Sequence, residues 1–113
     1  AFWDVLPTAV DIAGGEPPAA VDGLSMKNTL LGQPQQSHEY FYWEFHERGF
    51  QQAVRMGNWK AVVGNDKPLE LYNLKDDEGE ANNVADQHPG VVAAIFKILA
   101  SARTDSPHYP VEQ

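Results

Sequence analysis

Glycine-bearing turns at short, regular intervals constrain this chain more than any other feature. Glu47-Arg48-Gly49, Gly57-Asn58 and Gly64-Asn65-Asp66 separate four runs of extended character at 38–47, 51–56, 59–63 and 69–74. Gly57-Asn58 is a two-residue turn, and Gly49 supplies the left-handed position of a three-residue one. Turns this tight join only antiparallel neighbours, because a parallel crossover needs a dozen residues or more. The spacing predicts a four-stranded antiparallel meander.

The flanks carry helical signals. Asp4 stands as N-cap before a helix with Pro7 in its first turn, where a missing N–H costs nothing. Val5, Leu6, Ala9, Val10, Ile12 and Ala13 recur at helical spacing until Gly14-Gly15 stops them. Glu16-Pro17-Pro18 enforces an extended connector, and Ser25 can cap a short helix at 26–31 that ends at Gly32. The polar stretch 32–36, broken by Gly32 and Pro34, divides the chain into 1–36 and 37–113. Near the end, Pro89 opens a helix on which Val91, Val92, Ile95, Phe96, Ile98 and Leu99 form an apolar stripe. A stripe that wide needs a surface, and a half-buried sheet needs a lid. The fold class is therefore α+β: a small, roughly four-stranded antiparallel sheet covered by a C-terminal helix and preceded by a helix and a connector.

Composition narrows the function classes. Sixteen acids against 8 basic residues leave a net charge of −8, which argues against nucleic acid or an anionic membrane as partner. Zero cysteines exclude disulfides, thiolate metal sites and a cysteine nucleophile in this stretch. No apolar run approaches the roughly 20 residues of a membrane span, and no basic-then-apolar leader opens the chain. Twelve aromatics (3 Trp, 4 Tyr, 5 Phe) supply a real core. Beginning at Ala1 directly in apolar sequence, the chain reads as a piece of something larger.

The run 38–47 holds most of the chemistry. One face carries Glu39, Phe41, Trp43, Phe45 and Glu47, whose three large aromatics are expected to be buried. The other carries His38, Tyr40, Tyr42, Glu44 and His46. Residues two apart on a strand stand roughly 6–7 Å apart, so Glu44 and His46 can grip one small polar group, with Arg48 on the adjacent loop. These three are the candidate substrate-binding residues. The bland alternative is a solvated sheet face whose polar residues do nothing special. Sharper motifs fail on spacing. His46-Glu47-Arg48-Gly49-Phe50 lacks the second histidine of a zinc-protease helix. Asp76-Asp77-Glu78-Gly79-Glu80 has consecutive acids where a calcium loop needs them interleaved, so it reads as a solvated turn. No complete catalytic constellation and no metal site is visible.

Taken in order, the landmarks resemble the C-terminal end of the type I sulfatases, of the alkaline-phosphatase-like superfamily. Asp4-Val5-Leu6-Pro7-Thr8 with Asp11-Ile12-Ala13-Gly14 is similar to the family's D-x-x-P-T…D-x-A-G helix. Asp22-Gly23-Leu24-Ser25 with Leu30-Leu31-Gly32 resembles its D-G-x-S…L-x-G connector. Tyr42-Trp43-Glu44 and then Ala53-Val54-Arg55-Met56-Gly57-Asn58-Trp59-Lys60 resemble the A-V-R-x-G-x-W-K hairpin. Glu70-Leu71-Tyr72-Asn73-Leu74, Asp77, Glu80, Asn83 and Ala85 follow E-L-Y-x-L…D-x-x-E-x-x-N-x-A, with Glu78 where Pro is frequent and Asn73 where Asp is.

The resemblance implies a parent enzyme that hydrolyses sulfate esters with a formylglycine made in a C/S-x-P-x-R motif and with calcium held by Asp and Asn. Both would lie upstream, since this chain has no cysteine and no Ser-x-Pro-x-Arg. It further implies that 1–36 is the terminal helix and connector of the catalytic domain, and that 37–113 is the C-terminal subdomain packed on it. Loops of that subdomain would border the substrate cleft, placing His46, Glu44 and Arg48 on the leaving-group side. The expected partners are the upstream catalytic domain and a sulfated substrate, a carbohydrate among the options. A periplasmic or secreted location follows from the resemblance alone. The segment by itself is expected to be inactive. The competing hypothesis is a non-catalytic carbohydrate- or protein-binding module that uses Tyr40, Tyr42 and the tryptophans.

Overall fold

The computed structural model describes residues 1–47, 49–64 and 67–111, which form two compact units, Ala1–His38 and Glu39–Gln113. Arg48 of the first expected turn and Asn65-Asp66 of the third lie outside the described residues.

In the first unit, α1 spans Val5–Ile12 and α2 spans Lys27–Leu30. Helix α1 ends where Gly14 takes a left-handed φ of 79°, as the Gly14-Gly15 signal requires. Asp4 occupies the N-cap position, but its side chain caps nothing. Asp4, Thr8 and Asp11 instead share one helix face at i, i+4 and i+7 and hold the connector. The Leu24 N–H donates to Asp4 Oδ1 at 2.8 Å, the Met26 N–H to Thr8 Oγ1 at 2.9 Å, and the Ser25 hydroxyl to Asp11 Oδ2 at 2.6 Å. Lys27 adds an ion pair to Asp11 at 2.9 Å, and His38 Nε2 lies 2.7 Å from Asp4 Oδ1. Burial works to raise the Asp4 pKa, while the Leu24 N–H and His38 act to lower it. Gly23 is required by this clamp, because a Cβ there would sit 2.1 Å from the Trp3 carbonyl oxygen.

The second unit is the meander. Strands β1 (Phe41–Phe45), β2 (Gln51–Met56), β3 (Trp59–Gly64) and β4 (Glu70–Asn73) pair antiparallel in the order β1-β2-β3-β4. Strand β1 is shorter than the alternating run 38–47, ending at Phe45, and β2 begins at Gln51. Gly49 has the expected positive φ, 109°. The register still has Phe45 opposite Gln51, and Gly57-Asn58 closes Met56 onto Trp59. Helix α3 (Pro89–Ala102) starts at Pro89 and lies over one face of the sheet.

The register lines up Tyr42, Val54, Ala61 and Leu71 across all four strands. Val54, Ala61 and Leu71 are fully buried with Ile95 of α3, while Tyr40, Tyr42, Met56, Trp59, Val63 and Leu99 pack around them. This reverses the expected faces of β1. The Tyr40, Tyr42 and Glu44 side meets α3, whereas Phe41, Trp43 and Phe45 lie on the opposite face, with Trp43 39% and Phe45 51% exposed. Alternation alone does not choose between two apolar faces, and the small buried row Val54-Ala61-Leu71 does. On α3, Phe96 leaves the stripe and is 52% exposed, because one residue beyond Ile95 is a 100° turn away from the sheet.

The acidic segment after β4 folds on itself. Asp77 accepts the Ala81 and Asn82 N–H groups, and these two bonds depress its pKa. Asn83 Oδ1 accepts from Leu71 and Ala85, and Glu80, at a left-handed φ of 53°, pairs with Lys60.

Candidate functional site

Glu44 is the centre of a polar cluster at the end of the sheet nearest the C-terminus of α3. On the helix-facing side of β1, its carboxylate accepts the Tyr42 hydroxyl at 2.5 Å, and His46 Nε2 lies 3.0 Å from its second oxygen. The Gln52 amide donates to the Tyr42 oxygen at 2.7 Å from the paired strand. Arg103, the residue that ends α3 in extended conformation, brings its Nε to 3.2 Å from Glu44 Oε1. That approach is an ion pair without hydrogen-bond alignment, and Nε is buried with no hydrogen-bond acceptor. Arg103 also pairs with Asp105. The His46 ring lies between Phe50 and Tyr109, each with its centroid 5.2 Å away.

The sequence-predicted pair Glu44 and His46 is therefore brought together, and Arg48, the third candidate, lies outside the described residues. What spacing did not reveal is Arg103, nearly sixty residues from Glu44 in sequence. Its position just past the α3 stripe was the available signal, since a helix that covers the sheet must deliver its last turn to one sheet end. Burial, followed by the neighbouring carboxylate, pushes the Tyr42 phenol up to about 12. Tyr42 is thus a donor fixed in its neutral form, and Glu44 an acceptor saturated by its own neighbours. Chemically the cluster can orient His46 through the contact of its Nε2 with Glu44.

Among the described residues no group of three or more His, Asp or Glu is placed to hold a metal ion, and the chain has no cysteine.

No family model matches the chain. It is 35% identical to an N-acetylgalactosamine-6-O-sulfatase of Bacteroides thetaiotaomicron, over 76% of this chain and 19% of that protein. A Delta 4,5-hexuronate-2-O-sulfatase of the same organism is 37% identical over 73% of this chain and 18% of its own length. Its homologues are sulfatases. The crystal structure of a 2-O GAG sulfatase superposes with a TM-score of 0.78 at 32% identity, over 88% of this chain and 23% of the other. This chain spans about a fifth of the curated relatives it matches and corresponds to the C-terminal part of a sulfatase, with the four-stranded sheet and covering helix of the sulfatase C-terminal subdomain.

Proposed function

We propose that this chain is the C-terminal segment of an enzyme hydrolysing sulfate esters of carbohydrates, and that it shapes the leaving-group side of the cleft without reacting itself. The similarity to two carbohydrate sulfatases at 35% and 37% identity carries this reading. The groups that cleave the ester, with the formylglycine and calcium of the resemblance, would precede Ala1. His46 is the residue assigned to the substrate, Glu44 positions its ring, and Arg48 is the third candidate, from the sequence alone. The exposed edge of the His46 ring, with its side chain 24% exposed, supports a binding role over a core role.

The test uses the complete natural polypeptide. It should release sulfate from sulfated saccharides, whereas the 113-residue chain should release none. His46→Ala should raise KM on the sulfated saccharide and leave kcat nearly unchanged, the pattern for a contact made equally in ground and transition states. A small aryl sulfate that does not reach the sheet end should be affected less. Equal losses of kcat on both substrates would place His46 among the reacting groups and refute the assignment.

A further inference from the structure

We propose that the segment following α3 extends the binding surface around His46. Tyr109 is a specificity-determining residue whose exposed ring stacks on a pyranose ring of the saccharide, and Arg103 is the positioning residue that holds it there. The class of ligand comes from the reading above, on which this inference rests.

Local sequence is what delivers that ring. Ser106 and Pro107 are the residue types that open a tight turn, the proline fixing φ at its second position. The Tyr109 N–H donates to the Ser106 carbonyl at 3.2 Å and the His108 N–H to the Ser106 hydroxyl at 3.3 Å, so Tyr109 is the last residue of the turn. Pro110 follows and keeps Tyr109 out of the helical region. Arg103 then fastens the turn to the sheet. Its guanidinium reaches Glu44 on β1 and Asp105 at the start of the segment, and its Nη2 donates a long hydrogen bond, 3.5 Å, to the Tyr109 carbonyl. One planar side chain with a rigid fork of donors ties strand, segment and Tyr109 together.

Exposure separates a ligand contact from a core contact. The Tyr109 ring centroid lies 5.2 Å from that of His46 at an interplanar angle of 37°, yet Tyr109 is 60% exposed. A tyrosine recruited for the core buries its ring, as Tyr72 does at 9%. A polar edge and an open aromatic face therefore stand side by side, and that pairing suits an amphipathic ring. The hydroxyls of a pyranose radiate from its rim, while C–H bonds cover its faces and carry the partial positive charge that the negative face of a tyrosine ring attracts. Ligand sites combine aromatic surface with a few placed polar groups in this way. The guanidinium beside Tyr109 is already shared by two carboxylates, so Tyr109 reads the sugar rather than its sulfate. With two prolines and the Arg103 tie fixing the turn, little freedom is lost when the sugar binds.

The experiment uses the complete polypeptide and measures affinity and turnover separately: calorimetric titration with a desulfated disaccharide, and sulfate release from its sulfated form. Tyr109→Ala should raise Kd and KM about three- to tenfold, the scale of one aromatic stacking contact, and leave kcat nearly unchanged. Tyr109→Phe, which restores the ring without the hydroxyl, should recover affinity to within about twofold of wild type. Both should shift the melting temperature by less than about 4 °C, below the step expected for a disrupted core. Arg103→Lys, which keeps the charge and loses the fork, should also raise Kd, and adding it to Tyr109→Ala should raise Kd no further, because it acts through Tyr109. An unchanged Kd in Tyr109→Ala would overturn the proposal, and so would a loss in Tyr109→Phe as large as in Tyr109→Ala, which would assign the hydroxyl. Additive effects of Arg103→Lys and Tyr109→Ala would refute the positioning role. A polypeptide that shows this pattern of affinities but releases no sulfate refutes the enzymatic reading alone, and one that releases sulfate with Kd indifferent to Tyr109 refutes the stacking alone.

Discussion

Ile95→Ala is the sharpest test of how this fold is held together. Ile95 is fully buried on α3 against Val54, Ala61 and Leu71, the row that runs across the sheet. The change removes three carbons at about 0.8 kcal/mol each, and the row it faces sits on a hydrogen-bonded sheet that cannot collapse into the space. With the cavity included, the loss should fall within about 2–5 kcal/mol. That is a large share of the roughly 5–15 kcal/mol available to a domain. Phe96, one residue along and 52% exposed, is the internal control. Burying a whole Phe side chain contributes about 1.5–3 kcal/mol, so Phe96→Ala in the isolated chain should cost about 1 kcal/mol. Urea titrations followed by far-UV dichroism and by tryptophan fluorescence, with equal m-values, give both numbers. The reasoning fails if Ile95→Ala loses less than about 0.5 kcal/mol, or if Phe96→Ala loses as much as Ile95→Ala.

Glu44→Gln should cost about 0.5–1.5 kcal/mol, the net range for a hydrogen bond such as the one this half-buried carboxylate accepts from Tyr42, and should bring the Tyr42 titration down from about 12 toward the ordinary 10; absorbance at 295 nm against pH reads this, and an unmoved titration counts against the network. In the wild type the folded state holds the Tyr42 proton more tightly than the unfolded one. Its contribution is complete below pH 10 and is lost as pH rises through about 12, so urea midpoints should fall across that window, and less so in Tyr42→Phe. Gly23→Ala should cost about 1–3 kcal/mol, as overpacking against fixed backbone does, with faster hydrogen exchange at the Leu24 amide; unchanged exchange would mean the clamp does not depend on the close approach of Gly23 to Trp3. For Lys60 and Glu80, both about one-third exposed, a double-mutant cycle should return less than about 1 kcal/mol.

Local signals were enough for the elements themselves. Gly57-Asn58 between two apolar runs requires a hairpin, Pro89 before the α3 stripe marks a helix start, and Gly14 a helix end, because each depends on φ values that a few neighbouring residues set. The side chains of Asp4, Thr8 and Asp11 were harder. A capping residue and a clamp on a distant connector have the same sequence appearance, and only the return of Leu24, Ser25 and Met26 to α1 distinguishes them. The face of β1 was legible in principle. Counting back from the Gly57-Asn58 turn places Val54 opposite Ala61, and the loop about Gly49 then places Tyr42 in their row. Aromatic size pointed the other way, toward Phe41, Trp43 and Phe45, because a strand with apolar residues on both sides carries no preference of its own. Sequence by itself determined the strands, their order and the helix that covers them, since turn chemistry and periodicity act over a few residues. Only the tertiary structure decided which face that helix covers and that Arg103 closes on Glu44, because both depend on where a helix begun at Pro89 must end over a sheet of fixed register.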